Sequence, residues 1–352
     1  MACNNLKLAI VRAESHLLGN RRKFSSALAA TTPCIKLNRA SCLSPQKAQQ
    51  RRTIVDRKTL ARLLPDNYPD PWPYKERSFT FNNIFFNSTM TRLHRNSRII
   101  VVEGNIGSGK SEFAAQLAQE LGFYHMPAFS MNEILVDRYG NDLRKFYHLF
   151  PKRYRTPDEL MFYANPTDDN TAVMQDTIYQ CRFDQHMNAL AHIFNTGQGV
   201  VMERSVFSDF VFVNAMYEKG WISPEYFKYY HFARKVTLPK LDLHPHLYIY
   251  LNAPISKCLE NIKKRGNANE IEHVDARYLK TIEESYKDFL REVKLGSYVL
   301  SYDWAQPEYM DIVLEDIFNL NMDTYEWHTM SDVLQPWHSI GEADFNYGWH
   351  RW

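Results

Sequence analysis

The chain has 352 residues, a formal net charge of +2 and 45% hydrophobic residues, enough for one large core with appendages. That charge balance gives no general reason to expect a nucleic-acid partner, and no run of about 18 apolar residues exists to span a membrane. Of the five cysteines, Cys3, Cys34 and Cys42 come early, while Cys181 and Cys258 stand far apart. The absence of any CxxC pair argues against a disulfide framework and against a structural zinc site.

Residues 1–54 carry a single acid, Glu14, against ten Lys and Arg, and they are rich in Ser and Ala. An acid-poor, Arg- and Ser-rich opening reads as a mitochondrial transit peptide with a disordered leader. Its apolar stretches are too short and too often broken by charge for a secretory signal. Residues 55–97 set Pro65, Pro69, Pro71 and Pro73 among aromatics, which disfavours helix and points to an extended arm. Within it, Phe79-Thr80-Phe81 and Ile84-Phe85-Phe86 need a surface to pack on.

From Arg98 the pattern changes. Ile99-Ile100-Val101-Val102 reads as a strand buried on both faces. A helix through Phe113, Leu117 and Leu121 stops at Gly122, and Phe123–Met126 supplies another strand. An amphipathic stretch from about Thr171 to Phe194 stops at Gly197, and Gly199–Met202 is again a strand. Helix 208–219, strand Leu247–Leu251, helices 255–265 and 275–293, strand Tyr298–Leu300 and helix 307–319 follow. Strands alternating with helices of this length predict an α/β domain over 98–304, a doubly wound sheet of about five parallel strands with ligands at their carboxyl ends. No internal repeat is visible. Residues 305–352 read as a helix and a docking tail: from Tyr302 onward there are ten acids, one basic residue (Arg351) and eleven aromatics. Trp327, Trp337, Trp349 and Trp352 sit in sequence too irregular for a core of their own, so they are expected to anchor into a partner surface.

Between the first strand and the first helix of the domain stands Gly104-Asn105-Ile106-Gly107-Ser108-Gly109-Lys110-Ser111, which satisfies G-x4-G-K-[ST]. Glycines let backbone N–H groups face phosphate oxygens, and the helix N-terminus adds positive field. Lys110 would reach the terminal phosphates and the Ser111 hydroxyl would ligate magnesium. Glu203-Arg204-Ser205 ends a strand, where a carboxylate can hold magnesium through water and an arginine can engage phosphate. Gln175 and Arg182 are two helical turns apart and share a face; a Gln amide pairs with a base edge, and an Arg neutralises phosphate or carboxylate. Asp209 lies one turn beyond the Glu203 segment and also fits a simple acid at a helix N-terminus.

Val102–Ser111 together with Glu203-Arg204-Ser205-Val206-Phe207-Ser208-Asp209 resembles the deoxynucleoside kinase family. The resemblance implies that Gln175 and Arg182 read the base and support catalysis, and that Asp209 contacts the base and orients the arginine. It also implies that Lys263-Lys264-Arg265-Gly266 opens an Arg-rich lid over the phosphates. The implied nucleotide-binding set is Gly104, Asn105, Gly107, Ser108, Gly109, Lys110, Ser111, Arg204 and Arg265. The nucleoside-binding set is Gln175, Arg182 and Asp209, and the metal-holding pair is Ser111 and Glu203. Gly197–Phe212 with Ala215-Met216-Tyr217 is similar, more narrowly, to the kinase-like branch of the family found among the accessory subunits of mitochondrial complex I.

Two departures from the kinases bear on activity. The family places a catalytic Glu, in a Pro-Glu-Pro setting after the second strand, to deprotonate the nucleoside 5′-hydroxyl. This chain reads Met126-Pro127-Ala128-Phe129, with Ala128 at that place and Glu133 five residues on. Loss of a positioned general base costs about 10²–10⁴ in rate. The second Arg of the family's lid is replaced by Asn267, which weakens stabilisation of the transferring phosphoryl group. The resemblance therefore implies a non-catalytic accessory subunit, peripheral on the matrix side of the inner membrane, that contributes to assembly or stability. Its partners would be the other subunits of complex I and a bound nucleotide (ATP/ADP or a deoxynucleotide) with Mg2+, and no nucleic acid. The alternative is an active mitochondrial deoxynucleoside kinase that phosphorylates a 5′-hydroxyl from ATP. No iron–sulfur, flavin or quinone motif is visible.

Overall fold

Five apolar runs form five strands: β1 (Ile99–Gly104), β2 (Tyr124–Met126), β3 (Val200–Glu203), β4 (Leu247–Asn252) and β5 (Tyr298–Asp303). The computed structural model describes residues 52–77, 80, 83, 89–306, 309–322 and 337. All neighbouring strands pair in parallel in the order β2-β3-β1-β4-β5. Every residue of β1 and β3 is buried, whereas β2 and β5 at the edges are only partly so. A strand covered on both faces loses polar alternation, which is why the three inner strands, β3, β1 and β4, read as apolar runs.

The sheet is flanked by helices α2 (Lys110–Leu121), α5 (Thr171–Thr196), α6 (Phe210–Glu218), α7 (Pro224–Thr237), α8 (Ile255–Arg265), α10 (Ala276–Val293) and α11 (Met310–Asn319), with short helices α1 (Arg57–Leu63), α3 (Asn132–Leu135), α4 (Glu159–Ala164) and α9 (Ala268–His273) between or before them. On α2 the buried apolar side chains are Phe113, Ala114, Leu117, Ala118 and Leu121, one stripe at helical spacing. Burying a Phe or Leu in this way contributes about 1.5–3 kcal/mol. Helix α7 was not expected, yet its start signal is present: Ser223 accepts from the Tyr226 N–H at 3.2 Å and Pro224 opens the first turn. Its aromatic run, with only Tyr230 buried, hides the usual apolar stripe. No helix among the described residues is long and apolar enough to cross a membrane.

The arm is not extended throughout. Asp56 accepts from the Thr59 N–H at 2.9 Å and from its hydroxyl at 2.6 Å, capping α1, which ends before Pro65. The proline cluster stops the helix without forbidding one upstream of it. Beyond the prolines the arm runs along the end of α5. The Trp72 N–H donates to the Asn195 carbonyl at 2.8 Å, and the Tyr74 hydroxyl meets His192 Nδ1 at 2.9 Å. Gly197 ends α5 at φ +74°, and a Cβ there would fall 2.1 Å from the Arg92 carbonyl. Glycine is what allows both the helix stop and the close approach of the arm.

The two ends of the domain meet. The Thr53 hydroxyl donates to the Leu320 carbonyl at 2.7 Å and accepts from the Met322 N–H at 3.3 Å, and Ile54 is fully buried. Thr53 and Ile54 therefore belong to the packed chain, inside the stretch read as leader; that stretch up to Arg51 lies outside the described residues. At Trp337 the expectation of a partner-facing anchor is corrected. Its indole N–H donates to the His244 carbonyl at 2.7 Å, and its ring lies 4.4 Å from that of His246, so the anchor is seated on its own domain. Trp327, Trp349 and Trp352, and the clusters around Phe79 and Phe85, lie outside the described residues.

Candidate functional site

The loop between β1 and α2 is shaped by glycine and pinned from behind. Gly107 and Gly109 have φ of +77° and +84°, and a Cβ on Gly107 would sit 2.7 Å from the Cys258 carbonyl, so side chains are excluded there. Asn105 donates through Nδ2 to the Leu279 carbonyl at 2.9 Å and accepts the Ile106 N–H at 2.8 Å. Its side chain thus holds the loop to α10. Asn261 donates to the Gly107 carbonyl at 2.7 Å. Lys110 Nζ donates to the Asn105 carbonyl at 3.3 Å. No carboxylate lies within ion-pairing distance of it among the described residues. Burial, then the neighbouring Arg204 charge, push its pKa well below the usual lysine range. The Ser108 hydroxyl is buried without a hydrogen-bond partner. A buried lysine without an ion-pair partner, an orphaned hydroxyl and a glycine-shaped turn at a helix N-terminus together fit a phosphate chain.

Beside the loop, Ser111 Oγ donates to Glu203 Oε2 at 2.6 Å, and His125 Nε2 lies 3.0 Å from Glu203 Oε1. A hydroxyl and a buried carboxylate are the hard oxygen donors that magnesium takes. His125 was not foreseen, because a single histidine in a short strand carries no local signal; pairing of β2 with β3 brings it to Glu203.

Behind this pair, Glu103 is fully buried. It accepts from Ser205 at 3.0 Å and Ser208 at 2.5 Å on one oxygen, and from the Tyr286 hydroxyl at 3.0 Å on the other. Burial pushes its pKa up, while the hydroxyl donors and the Arg204 charge pull it back. The Tyr286 hydroxyl in turn accepts from Arg204 at 2.9 Å. Arg204, at φ +66°, is the one non-glycine with positive φ among the described residues, a conformation costing about 1–3 kcal/mol that is typical of functional sites. Its guanidinium lies 4.4 Å from the Phe212 ring centroid, and that of Arg182 lies 5.1 Å from the same ring, both within cation–π range.

The structure brings Gln175, Arg182 and Asp209 together. Asp209 is fully buried, is paired with Arg182, and accepts from Gln175 Nε2 at 2.8 Å and from the Tyr230 hydroxyl. It makes no capping bond at the start of α6, so the simple helix-acid reading is replaced by that of a hub joining α5, α6 and α7.

Of these groups, Lys110, Ser111, Glu203, Arg204, Phe212, Gln175 and Arg182 line one cleft of about 380 Å³, which also takes in Ala128, Glu159, Tyr163, Arg265, Asn267 and Glu270. Glu133 does not line it; its carboxylate accepts from the Ser130 N–H at 3.3 Å. Glu159 does, with one oxygen accepting the Met131 N–H at 3.1 Å. Arg265 donates to Glu270 at 3.0 Å. Asn267 is turned to its own backbone, capping α9 through Asn269 N–H at 3.2 Å and Glu270 N–H at 3.4 Å. Burial and the Glu270 charge push the Tyr163 phenol up. Glu159, Tyr163, Phe212 and Glu270 were missed because they come from segments whose periodicity says nothing about which side chains converge.

Residues 100–329 match the family model described as deoxynucleoside kinase. The chain is 35% identical over 254 residues to the rat protein named NADH dehydrogenase [ubiquinone] 1 alpha subcomplex subunit 10, mitochondrial, covering 71% of this chain and 69% of that one. It is 29% identical over 235 residues to a deoxyguanosine kinase of Dictyostelium discoideum, covering 66% and 73%. The solved structure of deoxyadenosine kinase from M. mycoides with bound dATP is similar at a TM-score of 0.48 and 17% identity, over 62% of this chain and 98% of that one.

Proposed function

Because the chain belongs to the deoxynucleoside kinase family, we propose that it is a nucleotide-binding accessory subunit of mitochondrial complex I that does not transfer phosphate. The mammalian relatives named as complex I subunits support the assembly it joins; its place there would be peripheral, on the matrix side, since no helix among the described residues is long and apolar enough to cross a membrane. The observation that carries the non-catalytic reading is Ala128 in the cleft wall, with Glu133 bonded back to its own loop. The phosphates of an ATP, ADP or deoxynucleotide would lie on the loop from Gly104 to Ser111, met by Lys110, Arg204 and Arg265. The nucleoside would lie toward Gln175, Arg182 and Asp209. Magnesium, when bound by Ser111 and Glu203, would neutralise phosphate charge. A ligand that binds only the native state stabilises it by mass action, so the bound nucleotide would help keep the subunit folded for assembly.

Native electrophoresis of mitochondrial membranes tests the assembly: the chain is expected to co-migrate with complex I, and migration solely as a free protein would overturn the proposal. Purified chain with ATP and each of the four deoxynucleosides should give no turnover under conditions where a control kinase works. Ala128→Glu should then raise the rate by about 10². A second reading, an active deoxynucleoside kinase, is favoured by one observation: Glu159 places a carboxylate in the same cleft. It predicts turnover in the wild-type chain that Glu159→Gln removes.

A further inference from the structure

The excursion between β2 and α5 carries a surface that the nucleotide cleft does not use. It includes a 3-10 helix, Leu143–Leu149, in which no residue is buried. Tyr147 points inward, its hydroxyl donating to the Thr156 carbonyl, while Phe146, Leu149, Phe150 and Tyr154 are 44%, 68%, 42% and 61% exposed. Cations are interleaved with them: Arg138, Lys145, Lys152 and Arg153 are all exposed. Glu133 and Asp169, toward the two ends of the excursion, are exposed acids, but those nearer the rings are engaged in bonds of their own. Asp137 accepts from the Tyr139 and Asn141 N–H groups at 2.8 and 2.9 Å, and Asp142 and Asp158 are both held by Arg144. Asp168 pairs with Lys152 at 2.9 Å. What the excursion offers to its surroundings is apolar rings and positive charge.

We propose that this excursion docks on an anionic phospholipid surface, with Phe146, Leu149, Phe150 and Tyr154 entering the headgroup boundary and Arg138, Lys145 and Arg153 at the level of the phosphates. Exposed aromatics alternating with Lys and Arg, the one acid between Arg138 and Tyr154 being Asp142 held by Arg144, match the chemistry of an interfacial segment. A short segment of exposed rings without a groove also suits a deformable bilayer better than a rigid protein partner, which needs a shaped counter-surface. The proposal goes beyond the subunit role and does not depend on it, because a purified chain can bind vesicles without any complex.

Flotation of the full chain with vesicles of neutral phosphatidylcholine, and of the same lipid mixed with an anionic phospholipid, tests it. Binding is expected to the anionic vesicles only and to weaken with salt. Lys145→Ala and Arg153→Ala should each lower it about fivefold at low salt, and Phe146→Ser with Phe150→Ser should lower it further, with circular dichroism unchanged. The basic leader is intact in every variant. Anionic-vesicle binding unaffected by these substitutions would therefore assign it to the leader and overturn the proposal. No vesicle binding, or retention on immobilised poly-glutamate without vesicle binding, would overturn it too, the latter assigning the surface to an acidic polypeptide.

Discussion

The two walls of the cleft differ in what else their residues do. Behind the phosphate wall, Glu103, Asn105 and Asp209 hold hydroxyls, a loop and three helices in place, and Arg204 and Gln175, which do line the cleft, are bonded into the same networks. On the outer wall, Ala128 and Asn267 lie on connecting segments where a family kinase would carry a base and a cation, and the fold around them is complete without either. A residue that also satisfies a buried network is costly to lose whether or not the site works. A catalytic group on a loop has no such second role. A chain released from catalysis would therefore be expected to keep its binding geometry and lose its reactive groups, as the proposed function requires of this one.

The comparison is tested hardest at Glu103. Glu103→Ala leaves three buried hydroxyls without their acceptor and should cost about 3–5 kcal/mol, lowering Tm by about 6–15 °C in calorimetry even without nucleotide. An unchanged Tm would mean that the phosphate wall is kept for binding alone. Next is Lys110, whose proposed role is binding and which has no carboxylate within ion-pairing distance among the described residues. Lys110→Met should weaken nucleotide binding about 10- to 100-fold by titration calorimetry, without lowering the stability of the free chain.

A pH dependence accompanies it. The folded Lys110 pKa lies below its ordinary 10.5, so between the two values the unfolded chain binds more protons. Stability of the nucleotide-free protein then rises with pH through that window. Urea midpoints measured across it should flatten in Lys110→Met. Nucleotide at a hundred times its Kd should add about 2.7 kcal/mol to the wild type, a Tm increase of about 5–10 °C. The smallest effect belongs to the outer wall: Asn267→Ala removes a helix cap worth about 1 kcal/mol, visible as roughly fivefold faster hydrogen exchange at the Val274 amide and not as a shift in global Tm.

Much of the sheet was legible because each inner strand is a local apolar run and several helices end at glycine. The phosphate loop was legible for the same reason: its spacing is fixed within eight consecutive residues. Gln175, Arg182 and Asp209 needed more, since a shared helix face predicts neighbours without saying what they face. His125, Phe212, Tyr230 and Tyr286 could not be picked out at all. Each acts through a partner far along the chain, as Tyr286 does through Glu103, and no periodicity encodes such a meeting. Trp337 shows the opposite error, where an irregular aromatic segment was assigned to a partner although the domain itself supplied the seat.

The bonds of Thr53 to Leu320 and Met322 also constrain how the chain is made. A ribosome delivers Thr53 long before its acceptor and donor exist, so the final closure waits until nearly the whole domain has been synthesised. The same adjacency makes the domain a near-closed ring, which chain termini brought together in this way often tolerate being cut elsewhere. A circular permutant joined across Thr53 and Met322 and opened at exposed Gly140, where no side chain crowds the backbone, should still fold. In it Thr53 would follow Met322 across the joint, so that its bonds to Leu320 and Met322 would form partway through synthesis and not at its end.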